Sequence, residues 1–178
     1  MKAVAPLSEW RKYRHLFERL EIPAKTILLR EGQIAHYTYF LEKGCVRIWF
    51  NDSGKEVTLN FFFDGEGVSS IESFRTQTPS AYYLESLEPC IIHRITKADF
   101  NFMLNDSPGI KRNIEEVTFE TLFLYQQLFL SRIKNSPEER YWELVAKRPE
   151  ILQRIPQHYI ASYLGITAVS LSRIKNKR

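Results

Sequence analysis

Hydrophobic and polar positions divide this chain into a β-rich first half and a helical second half. Apolar side chains recur at three- and four-residue spacing over residues 7–20, which predicts an amphipathic helix. From Thr26 to about Ile95 the pattern changes to short β-rich runs separated by turn residues, namely TILL, YTYFLE, CVRIWF, KEVTLNFFF, AYYLESL and CIIHRI. The tetrapeptide NDSG predicts a hairpin between two of these runs. Regularly spaced strands with glycine-containing turns favour an antiparallel sandwich or barrel.

The second half begins with a short helix predicted over residues 96–105, after Thr96, and a turn at Ser107-Pro108-Gly109. Residues 110–133 contain neither proline nor glycine, which predicts a helix of about 24 residues and about 36 Å. This helix is apolar around its circumference, so more than one face must be covered. We expect a homodimer in which the following stripe meets its copy: Ile114, Val117, Thr121, Leu124 and Leu128. The alternative is a helix buried entirely within its own domain.

A second break in the pattern marks the start of a C-terminal domain. Ser136 is a suitable helix cap, and Pro137 suits the first turn of the helix that follows. We therefore predict an α+β fold of three parts. These are an antiparallel β domain with flanking helices over 1–109, a dimerisation helix over 110–135 and an all-α domain over 136–178.

The last 23 residues have the pattern of a helix, a turn and a second helix. Pro156 begins the first helix, Gly165 takes the left-handed position at its end, and Thr167 caps the second. The inward positions are apolar and lie on both sides of the turn: Ile160, Leu164, Leu171 and Ile174. This pattern predicts a DNA-binding helix-turn-helix, and the alternative is an ordinary helical hairpin with a basic end.

Charge distribution supports a nucleic-acid partner. Residues 135–178 hold 8 Lys and Arg against 4 Asp and Glu, which accounts for the whole net charge of +4. We predict that double-stranded DNA is contacted by Thr167, Ala168, Val169, Ser170, Ser172, Arg173, Lys175, Lys177 and Arg178. Arg173 would pair with a guanine edge or a phosphate, and the terminal cations would contact phosphates.

Several classes of protein are excluded at this point. No run has the length of a membrane span and the N-terminus has no signal-peptide core, so we expect a cytoplasmic protein. There is no glycine-rich phosphate loop, and four scattered histidines and two distant cysteines fit no metal site or iron–sulfur cluster. We therefore predict neither an enzyme nor a metal protein, and expect no cofactor.

The order of these parts resembles the CRP/FNR family of transcription regulators. The stretch TILLREGQIAHYTYFLEKGCVRIWFNDSGKEVTLNFFF is similar to the first half of the family's cyclic-nucleotide-binding-type β-roll, and IASYLGITAVSLSRI is similar to its DNA-binding helices. The resemblance implies that residues 1–109 form a jelly-roll-like β-roll sensor domain. It also implies a homodimer on a palindromic operator, with RNA polymerase as a further candidate partner. The lack of a long wing resembles the short-tailed members described from Bacteroidetes-type bacteria.

Departures from the family pattern concern the effector pocket and the recognition helix. Ser69-Ser70 stand where the family has a Gly-Glu pair, and Pro79-Ser80 stand where it has Arg-Ser or Arg-Thr; a second register uses Gly65-Glu66 with Arg75. The loss of the arginine removes the phosphate partner, so we do not expect cyclic AMP binding. An unidentified small-molecule effector would meet the candidate residues Ser69, Ser70, Ser80, Tyr82, Thr121 and Tyr125.

In the recognition helix, Ala168 and Val169 stand in place of the family's Arg-Glu pair, which implies a different operator. The alternative function is a ligand-binding regulatory module that acts through protein partners rather than DNA.

Overall fold

The computed structural model describes residues 8–176, which separate into two compact units. The first unit contains residues 8–48 and 61–121, and the second contains residues 49–60 and 122–176. Residues 49–60, at the tip of a β-hairpin, therefore group with the C-terminal helices. The predicted boundaries after residues 109 and 135 stay a prediction.

The strands form an antiparallel roll, as the turn-punctuated pattern predicted. In the described chain, two four-stranded sheets have the orders β1-β8-β3-β6 and β2-β7-β4-β5. The strands are β1 Glu18–Ile22, β2 Ile27–Leu29, β3 Tyr37–Lys43, β4 Val46–Asp52, β5 Lys55–Phe62, β6 Gly67–Val68, β7 Tyr83–Ser86 and β8 Cys90–Thr96. Strand β5 ends the order of its sheet, so its outer edge has no strand partner there.

The helices complete the predicted α+β class, which is confirmed. After a 3-10 helix over Ser8–Leu16, they are α1 Ile71–Thr76, α2 Lys97–Asp106, α3 Pro108–Lys134, α4 Pro137–Lys147, α5 Pro149–Arg154, α6 Gln157–Leu164 and α7 Ala168–Asn176. Two predicted caps are confirmed. Thr96 accepts a hydrogen bond from the Asp99 amide at 3.1 Å, and Ser136 forms a capping box with Glu139.

The predicted helix over residues 7–20 is wrong at its C-terminal end. The helix ends at Leu16, and Glu18–Ile22 instead pairs antiparallel with β8, where Leu20 lies opposite Ile92. A partner strand some 70 residues away in sequence outweighs the local helical spacing. Leu7 lies outside the described residues.

The predicted turn at residues 107–109 is also wrong. Pro108 is already the first residue of α3, and the Ser107 hydroxyl accepts a hydrogen bond from the Ile110 amide at 3.1 Å. Proline fits a first helical turn because its missing N–H has no intrahelical partner there. The helix is 27 residues long, or about 40 Å.

Helix α3 presents a different apolar face to solvent from the one predicted for dimerisation. The predicted stripe is half-buried, and its first member Ile114 packs on the cluster of Tyr13, Ile95, Met103 and Ile110. The large apolar side chains that are exposed are Phe119, Leu122, Phe123, Phe129, Leu130 and Ile133. The dimer stays a prediction, but the structure favours this second face, which we call the exposed apolar face of α3.

Gly44 is expected to be irreplaceable because it combines a left-handed backbone with a close approach. Its φ is +117°, and a Cβ there would lie 2.4 Å from Cys90 Sγ and 2.9 Å from Cys90 Cα. Gly44→Ala should lower the free energy of unfolding by about 3 kcal/mol, from backbone strain plus overpacking. Urea denaturation measures the loss.

Gly54→Ala is the matched control. Gly54 also has a positive φ, +90°, but nothing lies within 4 Å of a Cβ there. Its loss should be about 1 kcal/mol, from backbone strain alone. Equal losses in the two variants would contradict the close approach at Gly44.

Candidate nucleic-acid interface and effector hollow

A left-handed residue joins α6 to α7. Gly165 has φ 69° and ψ 33°, as predicted for the helix end. Its amide donates to the Ser162 carbonyl at 3.0 Å, and the Ile166 amide donates to the Ala161 carbonyl at 2.9 Å. These bonds satisfy carbonyls that the end of α6 would otherwise leave without partners. The chain reverses within three residues, and α7 begins at Ala168.

The start of α7 is capped and its inner side is buried. The Thr167 hydroxyl accepts a hydrogen bond from the Ser170 amide at 3.1 Å. Leu171 and Ile174 are buried at 1% and 8% exposure, and Ile160 and Leu164 of α6 are buried as well. All four inward positions predicted from the sequence are thus inside.

The other side of α7 faces solvent. Thr167 is exposed, Ser170 is half-buried, and the remaining predicted contact residues are exposed: Ala168, Val169, Ser172, Arg173 and Lys175. Within residues 8–176, neither Arg173 nor Lys175 is paired with a carboxylate. The face therefore offers two unneutralised cations next to small and apolar side chains. Lys177 and Arg178 lie outside the described residues.

A single hydroxyl of α6 contacts the hairpin tip that belongs to the same compact unit. Ser162 Oγ donates to the Glu56 carbonyl at 2.9 Å and accepts from the Thr58 amide at 2.9 Å. Both backbone groups belong to β5. The Ser162 hydroxyl thus bonds one donor and one acceptor of β5, as a neighbouring strand would.

Two arginines bind the last carbonyls of α6. Arg132 of α3 donates to the Tyr163 carbonyl at 2.8 Å, and Arg140 of α4 donates to the Leu164 carbonyl at 3.0 Å. Cations at the C-terminal end of a helix are favourable because the carbonyls there carry partial negative charge. The three residues Ser162, Tyr163 and Leu164 are thus held by three different elements.

The joint between α3 and α4 is also hydrogen-bonded. The Ser131 hydroxyl donates to Glu143 at 2.7 Å, and Lys147 donates to the same carboxylate at 2.6 Å. Lys147, followed by Ser131, lowers the pKa of Glu143. Burial raises the pKa of the nearby Tyr163 phenol. The lowered pKa favours the ionised form of Glu143, and the raised pKa favours the neutral form of Tyr163.

In the first unit, three of the predicted effector residues lie together. Ser70 and Ser80 are each buried at 3% exposure, and their hydroxyl oxygens are 2.9 Å apart. Ser80 Oγ also accepts from the Tyr82 amide at 3.1 Å. Ser69 lies apart from this pair, with its hydroxyl 3.5 Å from the Tyr37 carbonyl.

The last two candidate effector residues lie on α3. Thr121 donates to the Val117 carbonyl of its own helix at 2.8 Å, and Tyr125 is an exposed residue of the second unit. The alternative register, Gly65-Glu66 with Arg75, stays a prediction. Glu66 is buried and accepts from the Phe63 amide at 2.9 Å, while Arg75 is exposed.

A hollow that the sequence did not predict lies between β2 and β3 in the first unit. Its volume is about 410 Å³, and it is lined by Leu28, Leu29, Gln33, Ile34, Ala35, His36, Tyr37 and Tyr39. Burial raises the pKa of Tyr39 to about 12, and its hydroxyl donates to the Leu28 carbonyl at 3.2 Å. The Tyr39 phenol therefore serves as a neutral donor.

Sequence reasoning did not single out Ser162, Arg132 or Arg140. Ser162 is a short polar residue in an otherwise apolar and aromatic run over residues 159–164, and that contrast was the one available signal. Nothing in the spacing of the two arginines distinguished them from surface cations. Their role becomes visible once the carbonyls of α6 are located.

Two features of the described residues bear on other functions. No helix in the described part of the chain has the length and apolarity of a membrane span. Across the same residues, His, Cys, Asp and Glu side chains form no group of three or more that could hold a metal ion.

Comparison with known proteins places this architecture. The model of the cyclic nucleotide-binding domain family matches residues 19–107, which is half of the chain. The cAMP-activated global transcriptional regulator CRP of Pasteurella multocida is 26% identical over 110 residues, covering 61% of this chain and 51% of that protein. The CRP of Salmonella typhimurium is 24% identical over 89 residues, covering 49% and 42%. The matches thus span about half the length of these curated relatives.

Solved structures resemble the chain over more of its length. The c-di-GMP responsive global regulator CLP of Xanthomonas campestris has a TM-score of 0.78 at 19% identity, covering 96% of this chain and 90% of that one. FixK2 from Bradyrhizobium japonicum has a TM-score of 0.75 at 15% identity, covering 90% and 83%. At these identities the likeness shows the fold.

The buried serine pair should contribute measurably to stability. Ser80→Ala removes the acceptor of the half-buried Tyr82 amide and the partner of the buried Ser70 hydroxyl. We expect the free energy of unfolding to fall by about 2 kcal/mol in urea denaturation. Ser69→Ala, whose hydroxyl makes a long contact at 3.5 Å, should lose less than about 0.5 kcal/mol. Similar losses in both variants would contradict the pairing.

Proposed function

Because the chain belongs to the cyclic nucleotide-binding domain family, in its CRP/FNR branch of non-enzymatic transcription factors, we propose that it is a sequence-specific DNA-binding transcriptional regulator. The observation that carries this proposal is the exposed side of α7. On that side Arg173 and Lys175 are exposed and are not paired with a carboxylate. The helix that carries them follows the glycine turn, is capped by Thr167 and has a buried inner side.

The residues of α7 suit the roles of a recognition helix in the major groove. Arg173 would take the O6 and N7 atoms of guanine with its planar guanidinium, and Val169 and Ala168 would meet thymine methyl groups. The capped N-terminus at Thr167 would approach a phosphate. Lys175, with Lys177 and Arg178, would contact phosphates without reading sequence.

The protein is proposed to work as a homodimer through the exposed apolar face of α3. Phe129 and Ile133 are 65% and 66% exposed, which is costly for large apolar side chains in water. A second copy related by a twofold axis would cover the same residues on both helices. Two recognition helices would then read half-sites about 34 Å apart on a palindromic operator.

The β-roll is proposed to have lost cyclic-nucleotide binding, although the relatives include a cAMP-activated and a c-di-GMP responsive regulator. A cyclic phosphate requires a charged donor, and the position expected to supply one holds Pro79-Ser80. The Ser80 hydroxyl is already paired with Ser70 and Tyr82. An unidentified small molecule remains the candidate effector, RNA polymerase a candidate partner and the cytoplasm the expected location.

The first test is capture of sheared genomic DNA by the purified protein at about 150 mM salt, followed by sequencing. Enrichment of a palindromic motif is the expected result. Retention without a motif would leave a basic, non-specific binder. The absence of retention would overturn the proposal in favour of a module that acts through protein partners.

Arg173→Ala tests the recognition helix. If Arg173 pairs with a base, the substitution should cost about 1 to 3 kcal/mol of affinity for the selected motif and relax the preference at one position of each half-site. Fluorescence anisotropy on the motif and its single-base variants measures both effects. Arg14→Ala, at an exposed arginine of the first unit, should change neither. An unchanged base preference in the Arg173 variant would exclude Arg173 as a reader.

Phe129→Glu tests the dimer face. A carboxylate placed there would be buried against its symmetry copy, so sedimentation velocity should show monomers where the natural protein shows dimers. Phe102→Glu is the matched control, because Phe102 is 54% exposed but lies on α2. A dimer that survives Phe129→Glu would place the interface elsewhere.

Cyclic AMP should leave the protein unchanged in a thermal melt. At a concentration about 100 times its dissociation constant, a ligand of the native state adds about 2.7 kcal/mol of stability. A site with micromolar affinity would therefore raise Tm by several degrees at millimolar nucleotide. We expect a shift below about 1 °C, indistinguishable from that with 5′-AMP. A larger shift with cyclic AMP alone would show that the pocket is functional.

A further inference from the structure

The end of α6 is held at three consecutive residues by three separate elements. Ser162 is bonded to β5, the Tyr163 carbonyl to Arg132 of α3 and the Leu164 carbonyl to Arg140 of α4. Gly165 and the turn into α7 follow immediately. A movement of α7 relative to the hairpin would therefore disturb this segment, although a separate contact, from Arg148 to the Asn60 side chain at 3.4 Å, also joins the helices to β5.

Ser162 contacts the hairpin at the outer edge of β5, the last strand of its sheet. Glu56 and Thr58 are two residues apart, so the carbonyl of one and the amide of the other point to the same side of β5. That strand is the last of its sheet, and its outer edge has no strand partner in the described chain. A serine hydroxyl has one donor and free acceptor lone pairs, so it can satisfy both backbone groups at once.

We propose that Ser162 is a positioning residue that couples the β4–β5 hairpin to the recognition helix, an inference that rests on the proposed DNA-binding function. Strands β4 and β5 begin and end in residues of the first unit, at Val46 and Phe62, and their tip belongs to the second. A shift of either strand on effector binding reaches α6 through two hydrogen bonds to one side chain.

The strengths of the three contacts differ in a way that suits this role. The two arginine contacts are charge-assisted and meet the negative end of the α6 dipole, so they form the lasting part of the joint. The serine contact is neutral and partly exposed, and such bonds contribute little net free energy. The Ser162 contact can therefore form or break when the populations of two conformations change only modestly.

The coupling can be tested by comparing the affinity of the protein for operators that differ in the spacing between their half-sites. A recognition helix tied to the hairpin has a fixed orientation, so a dimer should prefer one spacing strongly. Operators with the natural spacing, and with spacings about 2 base pairs shorter or longer, are compared for the natural protein and for Ser162→Ala. We expect Ser162→Ala to reduce the discrimination between spacings about tenfold, with the same salt dependence.

Two further variants separate coupling from general damage. Ser162→Thr keeps the hydroxyl and should restore the spacing preference. Thr118→Ala removes a hydroxyl that bonds only the Ile114 carbonyl within its own helix, and it should behave as the natural protein does. Amide hydrogen exchange at Thr58 gives a readout without DNA, and it should be faster in Ser162→Ala and normal in Ser162→Thr.

The outcomes distinguish the inference from the function on which it rests. If the natural protein selects a motif, but Ser162→Ala keeps its spacing preference and its slow Thr58 exchange, the coupling role is overturned and the proposed function stands. If the natural protein selects no motif, the proposed function fails and the coupling role fails with it. Loss of discrimination in both Ser162→Ala and Ser162→Thr would also contradict a role for the hydroxyl.

Discussion

The left-handed turn at Gly165 determines where every exposed side chain of α7 can lie. A positive φ at this residue lets the amides of Gly165 and Ile166 return to the carbonyls of α6, so the helix end is satisfied without an external partner. The reversal places Leu171 and Ile174 against the same core as Ile160. Because Leu171 and Ile174 face inward, the other side chains of α7 point toward solvent or toward a ligand. The recognition face is thus a consequence of a backbone conformation and four apolar residues.

The hairpin tip changes where the boundary between the two compact units lies. By sequence order, residues 49–60 belong to the β-roll, yet they group with the C-terminal helices. A physical reason lies at the outer edge of β5, which has no strand partner in the described chain and where Ser162 bonds one backbone donor and one backbone acceptor. An exposed strand edge invites aggregation, whereas an edge occupied by a side chain of the same chain is both protected and connected. The two hydrogen bonds of Ser162 would thus both protect the edge of β5 and connect it to α6.

Much of the fold could be predicted because its local signals agree with its final packing. Glycines at turns, β-rich runs and the caps at Thr96, Ser136 and Thr167 all act within a few residues. The wrong turn at Ser107-Pro108-Gly109 has a local cause, because proline fits the first turn of a helix as well as it fits a turn. The other failures have non-local causes. Glu18–Ile22 is a strand because β8 pairs with it, and no spacing within residues 7–20 contains that information. Helix α3 has apolar side chains on two sides, so periodicity could not decide which of the two its own chain would cover.

The position of the candidate interface could be predicted from the sequence. The number of its cations that are left without an internal carboxylate or carbonyl partner could not. Counting charges gave residues 135–178 a surplus of four cations, but several of the basic residues there are engaged internally. Arg140 donates to the Leu164 carbonyl, Lys147 is paired with Glu143, and Arg148 is paired with Glu150. Arg173 and Lys175 are the described cations of α7 that remain unneutralised. The polyanion partner is therefore indicated by where unpaired charge lies on a capped, half-buried helix, since net charge alone does not separate cations that hold the fold from cations that face a ligand.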